Sequence, residues 1–197
     1  LVDIKGMQRI YTQRRSEFWV ALVTAGMMVF VGVEQGIILA IVLSLIDHTR
    51  RGYRPKNALV APAESGELRA QPVATKVQAL PGLLIYRFTH SMYYANAEQL
   101  SEEITELANH AQPPLRWLCI DASAVDDVDF SAAETLRSIF GILKDKGIRL
   151  VVAQVMEDVK DESSYQLGQL FGEDAFYDTI ENVLEAYRQQ VSAGPAP

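Results

Sequence analysis

From Phe18 to Ile46 the chain runs 29 residues with a single charged break, Glu34-Gln35-Gly36, and basic residues stand on both flanks. One straight helix of that length would reach about 43 Å at 1.5 Å per residue, against roughly 30 Å of hydrocarbon core, and would set Glu34 near its middle. Lys5, Arg9, Arg14 and Arg15 precede the run, and Arg50, Arg51, Arg54 and Lys56 follow it. Basic residues near membrane ends favour the cytoplasmic face, so both flanks call for the same side. A hairpin satisfies this: Phe18 to Val33 enters, Gly32 to Gly36 turns, and Ile37 to Ile46 returns. Arms of sixteen and ten residues give about 24 and 15 Å of helix, so the turn must lie within the membrane or be covered by other protein. Glu34 is expected as an interfacial carboxylate at that turn. A secretory signal peptide does not fit, because a basic segment follows where a small-residue cleavage site belongs.

Charge divides the chain. Residues 1–56 hold 8 basic and 4 acidic residues, net +4; residues 57–197 hold 10 and 21, net −11, which together give the −7 of the whole. A half so acidic is not expected to bind nucleic acid, whose phosphates demand clustered Lys and Arg. The single cysteine, Cys119, leaves no internal disulfide and no cysteine metal cage, and its apolar neighbours Trp117, Leu118 and Ile120 suggest a small buried hydrophobe. Residues 1–16 set Leu1, Ile4, Met7 and Tyr11 at helical spacing opposite Lys5, Arg9 and Arg15, an amphipathic connector on the cytoplasmic interface. Residues 17–48 form the hairpin, 49–78 a proline-punctuated linker, 79–191 one small domain, and 192–197 a disordered tail. Within or beside the linker, Asn57 to Ala61 and Thr75 to Ala79 are candidate sheet-edge strands.

From Leu83 strands and helices alternate: strand Leu83–Phe88, helix Asn96–Ala111, strand Trp117–Ala122, helix Ser131–Lys146, strand Ile148–Val155, then helices near Ser163–Phe171 and Thr179–Gln190. This predicts an α/β domain with a mainly parallel sheet and flanking helices. Asn96 is expected to cap the first helix, and Ser131 with Glu134 to form a capping box on the second. Ala132, Leu136, Ile139, Phe140 and Leu143 trace the face that packs on the sheet. Ligand and partner sites of open parallel sheets gather at the carboxyl ends of the strands. Here that edge collects His90, Tyr93, Tyr94 and Asn96 after one strand, and Asp121, Asp126, Asp127, Asp129 and Ser131 after the next.

Three stretches together resemble one family: the hairpin with its Gly-Val-Glu-Gln-Gly turn, the segment Tyr86-Arg87-Phe88 through Tyr93-Tyr94-Ala95-Asn96-Ala97, and Ile120-Asp121 through Val128-Asp129-Phe130-Ser131. The chain resembles the carboxy-terminal end of a SulP-type (sulfate transporter-like) anion transporter, its last transmembrane segments joined to a cytoplasmic STAS domain. The resemblance implies a secondary active, proton- or ion-coupled transporter of sulfate or another small anion in the cell membrane. Its anion site would lie upstream, so no substrate-binding residue is expected in this chain. A homodimer is expected, with the STAS domain as a regulatory or assembly module facing a nucleotide or a regulatory protein. STAS domains related to anti-sigma factor antagonists carry a phosphorylatable serine in an Asp-Ser-Ser-Gly-like motif. Asp129-Phe130-Ser131-Ala132 matches its aspartate and second serine and departs at Phe130 and Ala132, so Ser131 is a regulatory candidate beside its role as a cap.

Other classes fit less well. No catalysis, metal or cofactor is expected. The carboxylates after the second strand suit a Mg²⁺ site, but no lysine or nucleophile and base pair completes one. Phosphate-cradling glycine motifs are absent from the sequence. A stand-alone STAS phosphoswitch has no need of the 29-residue apolar run.

Overall fold

The computed structural model describes residues 15–52, 55–156 and 171–193. They fall into two compact units, within Leu1–Tyr53 and within Arg54–Pro197. The connector helix expected over 1–16, the helix expected near 163–171 and most of the tail lie outside the described residues, apart from their bordering positions.

The first unit is a helical hairpin, α1 (Arg15–Phe30) and α2 (Val33–Gly52). The turn is tighter than expected and sits earlier. Val31 and Gly32 both donate to the Met27 carbonyl, at 2.9 and 3.1 Å, and Gly32 takes φ +145°, which its missing Cβ permits. The helix then restarts at Val33, which places Glu34, Gln35 and Gly36 in its first turn, where the Glu34 carboxylate suits the positive helix end. Gly36 is buried against α1, and a Cβ there would lie 3.3 Å from the Met28 Cα and closer still to its side chain, so glycine lets the arms approach. Val20, Ala21, Thr24, Ala25 and Met28 face Ala40, Ser44 and Asp47 across an open groove of about 590 Å³. Large apolar side chains point outward on both helices, Trp19, Val29 and Phe30 from α1 and Ile38, Ile41 and Leu45 from α2, with Phe30 88% exposed. Among the described residues no helix is long and apolar enough to cross a membrane. The sixteen residues of α1 reach only about 24 Å, and α2 carries Glu34, Asp47, Arg50 and Arg51.

The second unit is a six-stranded sheet in the order β2-β1-β3-β4-β5-β6. Its strands are β1 (Ala58–Pro62), β2 (Leu68–Pro72), β3 (Leu83–Arg87), β4 (Trp117–Asp121), β5 (Arg149–Ala153) and β6 (Phe176–Tyr177). β1 pairs antiparallel with β2 and β3, and β3 through β6 run parallel. The helices are α3 (Tyr94–His110), α4 (Phe130–Asp145) and α5 (Ile180–Ser192).

Period-two alternation explains the two-sided burial. On one face Leu59, Leu84, Tyr86, Leu118, Ile120 and Leu150 meet Leu100, Ile104, Leu136, Ile139 and Leu143 of α3 and α4. On the other, Leu83, Ile85, Trp117, Cys119 and Val151 meet Ile180, Val183, Leu184 and Tyr187 of α5. Each fully buried aliphatic side chain contributes about 1.5–3 kcal/mol. The expected apolar face of α4 is the packed one, with Phe140 half-buried at its margin.

Two strand expectations need correction. β1 lies inside the sheet, paired on both sides, and the edge position belongs to β2. Thr75–Ala79 forms no strand: Val73–Thr75 is a 3-10 turn closed by Lys76 at φ +50°, which turns the chain away from the ladder. The stretch expected as a linker therefore supplies two of the six strands.

Candidate functional site

The carboxyl edge of β3 and β4 is where the sequence concentrates polar chemistry, and backbone pairing joins its two loops. Met92 bridges Val128 in parallel register. The Met92 N–H donates to the Asp127 carbonyl at 2.8 Å, and the Asp129 N–H donates to the Met92 carbonyl at 2.9 Å. The Ser91 hydroxyl donates to the Asp126 carboxylate across the same seam.

Asp129 closes both helices. Its Oδ1 accepts from the Ala132 N–H of α4 at 2.8 Å, and its Oδ2 accepts from the Tyr94 N–H of α3 at 2.8 Å. A charged acceptor on two otherwise unpaired helix-start amides satisfies both and sits well in both helix dipoles. This corrects the expected capping box. Asp129 is the cap of α4, Ser131 is already the second residue of the helix, and Glu134 pairs with Arg137. Ser131 is half-buried, and its carbonyl accepts from the Thr135 hydroxyl at 3.0 Å. The physical reason is position: Asp129 is three residues before the amide it must reach, whereas Ser131 is one.

Asn96 is displaced likewise. It is the third residue of α3 rather than its cap, 2% exposed, with Oδ1 accepting from the Tyr93 N–H and Nδ2 donating to the Ser91 carbonyl, each at 3.0 Å. Asp121 is fully buried and already engaged: the Arg87 Nε donates to its Oδ2 at 2.5 Å and the Ser123 N–H to its Oδ1 at 3.0 Å. It holds the strand ends and faces no solvent. Tyr93 and Tyr94 are 42% and 77% exposed, and Phe130, the residue that breaks the serine motif, is 62% exposed. Backbone and side-chain hydrogen bonds thus link Tyr93, Tyr94, Asn96 and Asp129 at this edge, with Ser131 in the first turn that Asp129 caps, while Asp121 is buried apart, against Arg87 and Ser123.

A second polar cluster escaped sequence reasoning. The Tyr86 hydroxyl donates to Glu103 Oε2 at 2.5 Å, the Asn57 amide to the same oxygen at 3.3 Å, and the Gln99 amide to Oε1 at 2.6 Å and to the Pro55 carbonyl at 3.1 Å. Burial, then the Glu103 hydrogen bond and charge, push the Tyr86 phenol well above its usual range. The cluster fastens residues 55–57, where the chain enters the sheet, to α3. Its only sequence signal is polar residues at positions whose neighbours are core.

Cys119 is fully buried, and burial followed by the Asp121 charge raises its thiol, which leaves it a poor nucleophile. Among the described residues no group of three or more His, Cys, Asp and Glu is placed to hold a metal ion.

The family model for the STAS domain matches residues 74–183. The chain belongs to the STAS domain family. Its relatives are transporters. It is 27% identical over 195 residues to a probable sulfate transporter of Mycobacterium tuberculosis, covering 96% of this chain and 34% of the relative. It is 22% identical over 204 residues to high affinity sulfate transporter 2 of Stylosanthes hamata, covering 98% and 31%. The chain therefore spans about a third of the length of these relatives. Among solved structures, the murine Solute Carrier 26 family member A9 anion transporter in the inward-facing state superposes with a TM-score of 0.75 at 16% identity, over 95% of this chain and 31% of that one. The sulfate transporter family protein of Wolinella succinogenes gives 0.50 at 13%, over 66% and 97%. The likeness to the murine structure is one of fold, and at 95% of the chain it extends over both units.

Proposed function

We propose that this chain is the carboxy-terminal portion of a secondary active, ion-coupled anion transporter, with sulfate the expected cargo. In this reading the hairpin of α1 and α2 is the last membrane element of a multi-pass protein of the cell membrane. The STAS unit is its cytoplasmic regulatory and assembly module, the transporter works as a homodimer, and the anion is bound by residues outside this chain. The supporting observation is that the similarity to sulfate transporters runs through hairpin and STAS unit alike, over 96% of the chain for the mycobacterial relative. The outward apolar side chains of both hairpin helices support it: so large an exposed apolar surface calls for lipid or other protein to cover it. Short arms with a glycine turn suit broken-helix transporter folds, where backbone ends at membrane depth are covered by neighbouring helices.

The test is radiolabelled sulfate uptake by vesicles holding the complete transporter, with and without residues 57–197. Uptake by the complete protein is expected, with an altered rate on deletion; absence of uptake removes the cargo, and an unchanged rate removes the regulatory role. Cysteine labelling of positions 14 and 51 is expected to find both on the same face of sealed vesicles.

Ser131 is the candidate for covalent control. Because Asp129 performs the capping, modification of Ser131 would not remove the cap, and an added phosphate would sit beside Asp126, Asp127 and Asp129, where repulsion would open the seam. Equal transport by Ser131→Ala, Ser131→Asp and the parent would remove that role.

A further inference from the structure

Three of the amides that make a helix start attractive to phosphate are already taken at this edge. Asp129 occupies the Tyr94 and Ala132 N–H groups, and Asn96 occupies that of Tyr93. An incoming anion would have to displace a charged cap, and it would meet the Asp126 and Asp127 carboxylates, both exposed in the adjoining loop. Occupied donors and like charge both oppose a nucleotide.

The same surface suits a cation by two separate effects. Carboxylates are frequent here: Asp126 and Asp127 in the loop, Glu98 four residues after Tyr94 on α3, and Glu134 four residues after Phe130 on α4, all exposed, Glu134 in an ion pair with Arg137. Tyr94, Phe130 and Tyr93 are exposed at the same strand-end edge. An aromatic face is the negative end of its quadrupole and attracts guanidinium or ammonium groups, Arg most often. Exposed aromatics at a polar rim are also what protein interfaces use as anchors. Arg87, the cation at the end of β3, is spent on Asp121, and Arg137 is paired with Glu134.

We propose that the Tyr93, Tyr94 and Phe130 surface is a docking site for a basic segment of a protein partner, one carrying Arg or Lys among apolar side chains, and that it excludes phosphate-bearing ligands. This deepens the regulatory reading of the STAS unit and rests on it, by naming the chemistry of the partner. The acidic rim steers and the rings anchor, so binding weakens as salt is added.

The experiment uses the full chain in detergent and a fluorescein-labelled peptide with arginine and leucine at helical spacing, followed by anisotropy. Saturable binding is expected, weakened about tenfold or more by Tyr94→Ser with Phe130→Ser and, separately, by Asp126→Asn with Asp127→Asn. Glu181→Gln with Glu185→Gln, the same charge change on α5, is expected to leave binding unaltered and so separates this surface from general attraction to an acidic protein. All substituted side chains are exposed, and circular dichroism checks that each variant keeps its fold. No binding by the parent, equal binding by every variant, or GTP displacing the peptide would overturn the proposal. Sulfate uptake is measured independently, so failure of peptide binding leaves the transporter reading standing, and failure of uptake leaves the docking result standing.

Discussion

The hairpin and the STAS unit are both rich in apolar residues, yet they use them in opposite ways. In the sheet every residue of β4 is buried, and Leu118, Cys119 and Ile120 are lined on both faces by helices of the same unit. In the hairpin Val29, Phe30, Ile38, Ile41 and Leu45 face outward, and small residues face the partner helix instead. One unit completes its core internally and the other leaves a large apolar surface exposed. Apolar composition therefore says little until burial shows which solvent the sequence expects.

Substitutions can break this contrast, and the largest effects belong to the sheet. Arg87→Met leaves the buried Asp121 carboxylate with only the Ser123 amide, and it is expected to cost the STAS unit about 3–5 kcal/mol, read from its urea midpoint. Leu118→Ala opens a cavity between the sheet and the α3 and α4 layer and is expected to cost about 2–5 kcal/mol. The matched change in the hairpin, Ile41→Ala, is expected to leave the STAS midpoint where it was. An equal drop would show that the two units share one core.

Asp129→Ala removes two helix closures at once and is expected to cost about 1–2 kcal/mol, with faster hydrogen exchange at the Tyr94 and Ala132 amides together. Ser131→Ala, which was expected to remove a cap, should stay within about 0.5 kcal/mol of the parent. The opposite order would return the cap to Ser131.

The polar cluster around Tyr86 and Glu103 gives the STAS unit a pH signature. Tyr86 has a raised folded pKa, so above the usual phenol value near 10 the unfolded chain has lost a proton that the folded one keeps. Fewer protons bound when unfolded means that stability is intact below that pH and falls as pH rises through it, at up to about 1.4 kcal/mol per unit for one group. Cys119 and Tyr187, also raised by burial, add terms of the same sign. Tyr86→Phe is expected to flatten the alkaline slope of the urea midpoint, and an unchanged slope would assign it to the other two. Smallest of all, Lys76→Met removes the ion pair that lowers the Glu106 carboxyl at an open surface, and no measurable change in midpoint is expected.

Much of the fold was legible in the sequence, and the reason is periodicity. The three central strands and the helices α3, α4 and α5 fall within a few residues of where alternation and capping residues place them, because those signals are local. β2 and β6 were not legible. Leu68–Pro72 is polar and largely exposed, and Phe176–Tyr177 is two residues long, so each is a strand only because a neighbour offers it a ladder. The edge was legible as a collection of residues but not as an arrangement. Asp121 and Asp129 look alike in the sequence, and one is sealed under Arg87 while the other ties two helices.

By itself the sequence determined that one stretch seeks apolar surroundings, that an acidic α/β domain follows, and which residues meet at its strand ends. Hydrophobic period, charge balance and element order are properties of neighbours along the chain. Only the tertiary structure decided that Asp129 rather than Ser131 caps α4, that β1 lies within the sheet, and that Tyr94 and Phe130 stand exposed together. Asp129 takes its place because it also reaches the Tyr94 amide, 35 residues back along the chain, and β1 is held inside the sheet by β3, met at Ala58↔Arg87 and Leu59↔Tyr86; no local pattern carries such pairings.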